Sequence, residues 1–138
     1  SPKALEVARK NASLHKAERI SFIQSDLLDK VRQEKMDIIV ANLPYIGSGE
    51  NHLVSRDVLE YEPSAALFGG GDGLDLYERL FQQLSGRAQK PLCLIAEIGF
   101  LHKERLETMV RKYFPNARFQ FHKDLAELDR MLVIEFLR

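Results

Sequence analysis

The stretch Met36–Tyr45, MDIIVANLPY, constrains this chain more than any other. Its apolar run Ile38-Ile39-Val40-Ala41 has no polar break, which predicts a strand over Met36–Asn42 buried on both faces. The run stops at Asn42. Leu43, Pro44 and Tyr45 follow, then a loop containing glycine and serine. A core strand ending in an amide, a proline and an aromatic ring puts candidate chemistry at the carboxyl end of a parallel sheet, where open α/β folds hold their ligands.

The Asn42 side chain offers one carbonyl acceptor and one NH2 group. Beside it, Leu43 is held extended because a residue before proline is pushed out of the helical region. Two acceptors fixed side by side suit a substrate presenting an NH2 group, and Tyr45 can close over the flat face of an amide or a base. The same four residues also describe an ordinary Asn-x-Pro turn. Their position directly after an apolar strand favours a site.

The 138 residues are 45% hydrophobic and 29% charged, which suits one globular domain. Twenty basic and twenty acidic residues cancel, so there is no basic field of the kind that favours nucleic acid. No apolar run approaches membrane-spanning length and no secretory pattern opens the chain, so the expected location is cytoplasmic. The single Cys93, inside PLCLIA, is expected as a buried structural thiol. The histidines at 15, 52, 102 and 122 share no ligand spacing, and no zinc site is expected. There is no Gly-x-Ser-x-Gly elbow to support hydrolase chemistry.

Along the chain, Pro2 to about His15 is expected as a helix, with Leu5, Ala8 and Ala12 at helical spacing. Arg19–Gln24 alternates and predicts a strand that runs into Ser25-Asp26-Leu27-Leu28. Asp29–Lys35 is a charged connector. Between Ile46 and Gly73 there is no clear periodicity beyond a short helix around Leu53–Leu59, and a connection this long is usually functional or disordered. Gly69-Gly70-Gly71-Asp72-Gly73 lacks a following Gly-Lys-Ser/Thr and a preceding strand. It is therefore taken as a tight turn and not a phosphate cradle. The next helix starts near Asp75, with Glu78 at capping-box spacing, and buries Tyr77, Leu80, Phe81 and Leu84.

Leu92–Ile98 predicts another buried strand, and Leu106, Met109, Val110 and Tyr113 mark a helix after it. Ala117, Phe119 and Phe121 alternate, Asp124–Arg130 is a charged connection, and Met131–Leu137 is apolar again. Two strands joined without a crossover helix form an antiparallel hairpin. Glu97 is a further site candidate, or a cap for the following helix. Glu62 either orders the substrate loop or is simply solvated, and Asp124 and Arg130 are placed to pair across the hairpin.

Nearly end to end, through SPKALEVARKNA, FIQSDLL, MDIIVANLPYI, YEPSAALFGGGDGLDLY, LIAEIG and KDLAELDRMLVIE, the chain resembles the HemK family of protein-(glutamine-N5) methyltransferases, which modify peptide-chain release factors. The Asn-x-Pro-Tyr element is shared with adenine-N6 methyltransferases; the Tyr-Glu-Pro…Gly-Gly-x-Asp-Gly-Leu block is much more specific to HemK-like enzymes. The resemblance implies an α/β, Rossmann-like S-adenosylmethionine-dependent methyltransferase sheet of strand order 3-2-1-4-5-7-6, with strand 7 antiparallel. Here it is expected as a truncated single domain over residues 1–138, with strands 3–7 present, strands 1–2 missing and a C-terminal antiparallel hairpin. It also implies that Asn42, Leu43, Pro44 and Tyr45 hold the glutamine amide of a Gly-Gly-Gln motif, with Asn42 and Tyr45 as the catalytic residues. Asp26 and Leu27 would contact the adenine of S-adenosylmethionine, and Asn42 would border the same cofactor.

The chain departs from the family at Leu43, where proline is usual; Asn-Leu-Pro-Tyr also occurs in ribosomal-RNA adenine dimethylases. The glycine-rich turn after strand 1 and the acidic residue after strand 2 that grips the ribose fall before Ser1. Two alternatives follow. A nucleic-acid adenine-N6 methyltransferase would need base flipping and a basic groove, against which the neutral composition and the Tyr61–Leu74 block argue. The chain as given could instead be a catalytically incompetent fragment that binds cofactor weakly, with open strand edges that invite pairing with a second copy.

Overall fold

The computed structural model describes residues 1–32, 36–50, 52 and 54–137, in two compact units, Ser1–Glu34 and Lys35–Arg138. In the first unit, helix α1 spans Pro2–Leu14. Its start follows from Ser1, whose Oγ accepts from the Ala4 N–H at 3.5 Å, and from Pro2 in the first turn, where a missing N–H costs nothing. The guanidinium of Arg9 lies 5.6 Å from the centre of the Phe22 ring, tying the following segment to the helix.

That segment corrects the expected strand over Arg19–Gln24: none of its residues joins a ladder, and Ile20 and Ile23 are exposed. Alternation supplies a face but not a neighbour, and a strand exists only through hydrogen bonds to another strand. The unit closes in a turn where Asp29 N–H donates to the Asp26 carbonyl (3.1 Å) and Lys30 N–H to Ser25 Oγ (2.9 Å). Residues 33–35 of the charged connector lie outside the described residues.

The second unit is a four-stranded sheet with helices. The elements are β1 (Ile38–Ala41), α2 (Arg56–Tyr61), α3 (Ser64–Leu67), α4 (Asp75–Ser85), β2 (Cys93–Glu97), α5 (Lys103–Tyr113), β3 (Arg118–Lys123) and β4 (Asp129–Glu135). The strand order is β1-β2-β4-β3, with β1 parallel to β2 and the other two pairings antiparallel. This matches strands 4-5-7-6 of the expected order, and β3–β4 is the expected hairpin. The short helix anticipated around Leu53–Leu59 appears as α2; Leu53 itself lies outside the described residues.

Leu94 and Ala96 of β2 pair with Ile134 and Leu132 of β4, and all four are fully buried. Tyr77, Phe81 and Leu84 of α4, Leu106 and Val110 of α5, and Phe114 are buried as well. The Phe81 and Phe114 rings meet edge-on at 5.4 Å, and Phe114 meets Phe136 at 5.0 Å.

The other face is much more open, which corrects the expectation for β1. Val40 is 76% exposed and Ile38 58%, while Ala41 is buried. An edge strand with one covered face buries alternate residues, whatever their hydrophobicity. Cys93, paired with Ile38, is likewise half-buried and not sealed in the core.

The start of α4 also differs from the expected capping box. Leu74 is the N-cap; Asp72 Oδ1 accepts from Leu74 N–H at 2.9 Å and Asp75 Oδ2 accepts from Gly71 N–H at 3.4 Å. Glu78 turns outward to Lys112 Nζ (2.9 Å) and the Tyr113 hydroxyl (2.8 Å), so the acidic residues serve the glycine loop and a helix–helix contact.

Because Ile134 is fully buried on a central strand, Ile134→Ala should cost about 2–5 kcal/mol in urea denaturation. Val40→Ala, on the open edge, should stay within about 1 kcal/mol.

Candidate active site

Parallel pairing fixes the site. Ala41 lies opposite Ala96, so the first residue past β1, Asn42, emerges beside Glu97 at the carboxyl end of β2. Asn42 is exposed, and Leu43, Pro44 and Tyr45 are half-buried. All four line a cavity of about 190 Å³ with Ile46, Ala66, Leu67 and Glu97. The expected tetrapeptide is therefore gathered around one cavity, and Glu97 joins it instead of capping α5, whose N-cap is His102.

Tyr45 is held from two strands. Its hydroxyl donates to Glu97 Oε1 at 3.1 Å and accepts from Arg130 Nη1 at 3.4 Å. Arg130 also donates to the Ile98 carbonyl (3.3 Å) and, through Nε, to Asp124 Oδ2 (3.1 Å). Asp124 accepts in addition from the N–H groups of Ala126 and Leu128, closing the β3–β4 turn. The expected Asp124–Arg130 pair thus forms, and it extends to the site.

Burial, followed by the adjacent Glu97 carboxylate, raises the Tyr45 phenol above its ordinary 10.0. The phenol therefore stays protonated at neutral pH and its proton is given to Glu97 in a hydrogen bond. Tyr77, fully buried, donates to the Glu97 main-chain carbonyl, and burial raises its pKa as well.

The glycine block backs the tetrapeptide. Ile46 bridges to Phe68, with Ile46 N–H donating to the Leu67 carbonyl and Gly69 N–H to the Ile46 carbonyl, both at 3.0 Å. A Cβ on Gly69 would fall 2.3 Å from the Pro44 carbonyl oxygen, and one on Gly73 2.1 Å from that of Tyr45. Gly73 also has φ +80°, which side chains disfavour. The run is a turn into α4, as expected, and it is also the surface on which Pro44 and Tyr45 rest.

Asp26 and Leu27 belong to the first unit. Asp26 is exposed; Leu27 is half-buried at φ +49°, an uncommon conformation for a residue with a side chain, set within the hydrogen-bonded turn described above. Glu62, in the α2–α3 link, is exposed.

Sequence reasoning missed Arg130 as a partner of Tyr45, and it missed His102. This histidine is 5% exposed, and its Nδ1 is the only buried side-chain polar atom without a partner among the described residues. Glycines at 73 and 99, both packed on the imidazole, were the available signal. Burial lowers the His102 pKa below its ordinary 6.5; Glu50 and Asp72 oppose that shift and Arg105 adds to it.

A parallel strand pair ending in Asn-x-Pro-Tyr, closed by an antiparallel hairpin, defines a methyltransferase-type α/β sheet. The solved ribosomal protein L11 methylase from Lactobacillus delbrueckii subsp. bulgaricus shares this fold over 100% of the chain and 55% of its own, with TM-score 0.64 at 20% identity. The E. cuniculi Mtq2-Trm112 complex, described as acting in methylation of the eRF1 translation termination factor, matches 92% of the chain and 68% of its own, with TM-score 0.55 at 17% identity.

The methyltransferase small domain model matches residues 1–72, and the chain belongs to that family. Similar proteins are named release factor glutamine methyltransferase. That of Lactococcus lactis subsp. lactis is 33% identical over 98% of this chain, that of Bacillus cereus 36% over 96%, and that of Clostridium acetobutylicum 38% over 96%. The chain spans about half the length of these relatives, 49%, 47% and 47% respectively.

Gly73→Ala should destabilise the protein by about 1–3 kcal/mol in chemical denaturation, because both φ and the Tyr45 carbonyl oppose a side chain. Gly49→Ala, where a Cβ meets nothing within 4 Å, should stay within about 0.5 kcal/mol.

For His102, the folded state keeps the ring neutral where the unfolded chain protonates it. As pH falls through 6.5 the unfolded state binds the extra proton, and stability declines until the lower folded pKa is passed. Thermal unfolding followed by circular dichroism should show a midpoint that drops from about pH 7 to about pH 5, with a shallower drop in His102→Phe.

Proposed function

We propose that the protein carrying this chain transfers the methyl group of S-adenosylmethionine to the side-chain amide nitrogen of a glutamine, in the Gly-Gly-Gln motif of a peptide-chain release factor. The observation that carries this reading is the cavity at the end of β1, lined by Asn42, Leu43, Pro44 and Tyr45 and walled by Glu97. Relatives named for this reaction, matching 96–98% of the chain, support it.

A primary amide is a weak nucleophile because its nitrogen lone pair is delocalised into the carbonyl. In this mechanism the Asn42 side-chain carbonyl and the Leu43 peptide carbonyl accept the two N–H bonds of the substrate, which favours electron density on nitrogen and aims it. Pro44 keeps Leu43 extended so that its carbonyl can serve. Tyr45, held by Glu97 and Arg130, covers the planar amide without taking its proton, which passes to solvent as the nitrogen is methylated. Orientation of this kind removes roughly 7–11 kcal/mol from the barrier in the best-aligned intramolecular cases.

The cofactor supplies an electrophilic methyl on a positively charged sulfur. Asp26 and Leu27, both in the first unit, suit its adenosyl half in kind: an exposed carboxylate to bond an aminopurine edge and an apolar side chain for its face.

Asn42→Ala in the intact protein should lower turnover on a release factor by on the order of a hundredfold or more, while cofactor affinity measured by calorimetry stays within about threefold. Near-wild-type methylation by this variant would refute the role of Asn42. Methyl transfer to an oligonucleotide in place of the release factor would replace the glutamine reading with the adenine one.

A further inference from the structure

A second cavity, of about 300 Å³, shares Tyr45 and Ile46 with the first. Val54 and Val58, from the α2 region, and Leu101, after β2, give it apolar walls. Within those walls sits His102. Its Nδ1 has no hydrogen-bond partner. Buried hydrogen-bonding groups are nearly always satisfied, so one without a partner in a side chain that lines a cavity marks where a ligand supplies the missing bond.

Gly99 packs directly against that nitrogen. It lines the same cavity, and a Cβ there would stand 2.8 Å from Nδ1. With its proton on the other nitrogen, Nδ1 is an acceptor. The occupant must therefore bring a hydrogen-bond donor together with an apolar group, and it must continue from whatever fills the first cavity past Tyr45. An extended polypeptide meets all three demands: its N–H groups are donors, its side chains alternate, and it advances about 3.3–3.6 Å per residue.

We propose that this second cavity is a substrate subsite that takes an aliphatic side chain close in sequence to the methyl-accepting glutamine, with a peptide N–H of the same segment donating to Nδ1 of His102. The proposal rests on the glutamine reading and deepens it: the first cavity holds the reacting amide, and the second reads the sequence beside it.

The test is methyl transfer by the intact protein to short peptides with a central glutamine among glycine and serine, leucine being placed at each flanking position in turn. One position should lower KM by about tenfold with kcat nearly constant, a discrimination an apolar pocket can supply. Val58→Phe, which fills the cavity, should erase that gain. His102→Phe should raise KM about fivefold or more, and His102→Asn, which returns an acceptor near Nδ1, should recover most of the loss.

Equal KM at every leucine position in the wild type overturns the subsite and leaves the glutamine reading intact; that measurement needs no variant to fold. A preference that survives in folded Val58→Phe also overturns it. If neither the peptides nor a release factor is methylated by the wild-type protein, the glutamine reading itself fails and the subsite with it.

Discussion

Gly73 lies against the Tyr45 carbonyl, and Gly69 against that of Pro44, more closely than any side chain would allow. The backbone after β1 is therefore not a free loop. It is pressed between its own strand and the turn that opens α4, and the Ile46–Phe68 bridge fastens the two segments. Asp72 and Asp75 fold that turn by accepting main-chain N–H groups at its ends. The orientation of Leu43 and Pro44 thus depends on residues almost thirty positions later. The proposed aiming of two carbonyl oxygens would need this kind of backing, since peptide geometry alone leaves ψ free.

The polar network at Tyr45 distributes the same task over the sheet. Glu97 comes from β2 and Arg130 from β4, and those strands are locked by the Leu94–Ile134 and Ala96–Leu132 pairs beneath them. Arg130 is also the hinge between Tyr45 and the Asp124 turn. Core packing in β2 and β4 thereby sets the direction of a hydroxyl at the cavity rim. Parallel β1–β2 pairing matters for a separate reason: it brings two strand termini, Asn42 and Glu97, to one edge.

Much of this was legible in the sequence where local signals and long-range pairing agree. The hairpin followed from two apolar runs with no helix between them, and α4 from Tyr77, Leu80, Phe81 and Leu84 at helical spacing. The signals failed where pairing or coverage decides. Arg19–Gln24 alternates like a strand but has no neighbour in its unit, and Ile38 and Val40 are as apolar as core residues yet lie on an uncovered face. Asp75 and Glu78 had capping-box spacing, but each found a stronger partner elsewhere. Nothing in the spacing of Arg130 could reveal Tyr45, because that contact is made only by the strand order.

Leu43 shows where the constraint on the site resides. Proline is usual there in the family resembled, and a leucine removes one ring while adding an N–H and a free φ. The residue is still followed by Pro44, which restricts it, and it remains half-buried on the cavity wall. What persists is the direction of a carbonyl, a backbone property that several side chains can carry. Under the proposed function, Asn-x-Pro-Tyr would grip an NH2 group without naming its owner, since an amide and an aminopurine offer the same two N–H bonds and a similar flat face. Discrimination between them must come from surfaces beyond the tetrapeptide. The adjoining cavity combines Val54, Val58 and Leu101 with Glu50, Arg130 and the unpartnered Nδ1 of His102, and under the proposed function it is this surface that would read the substrate.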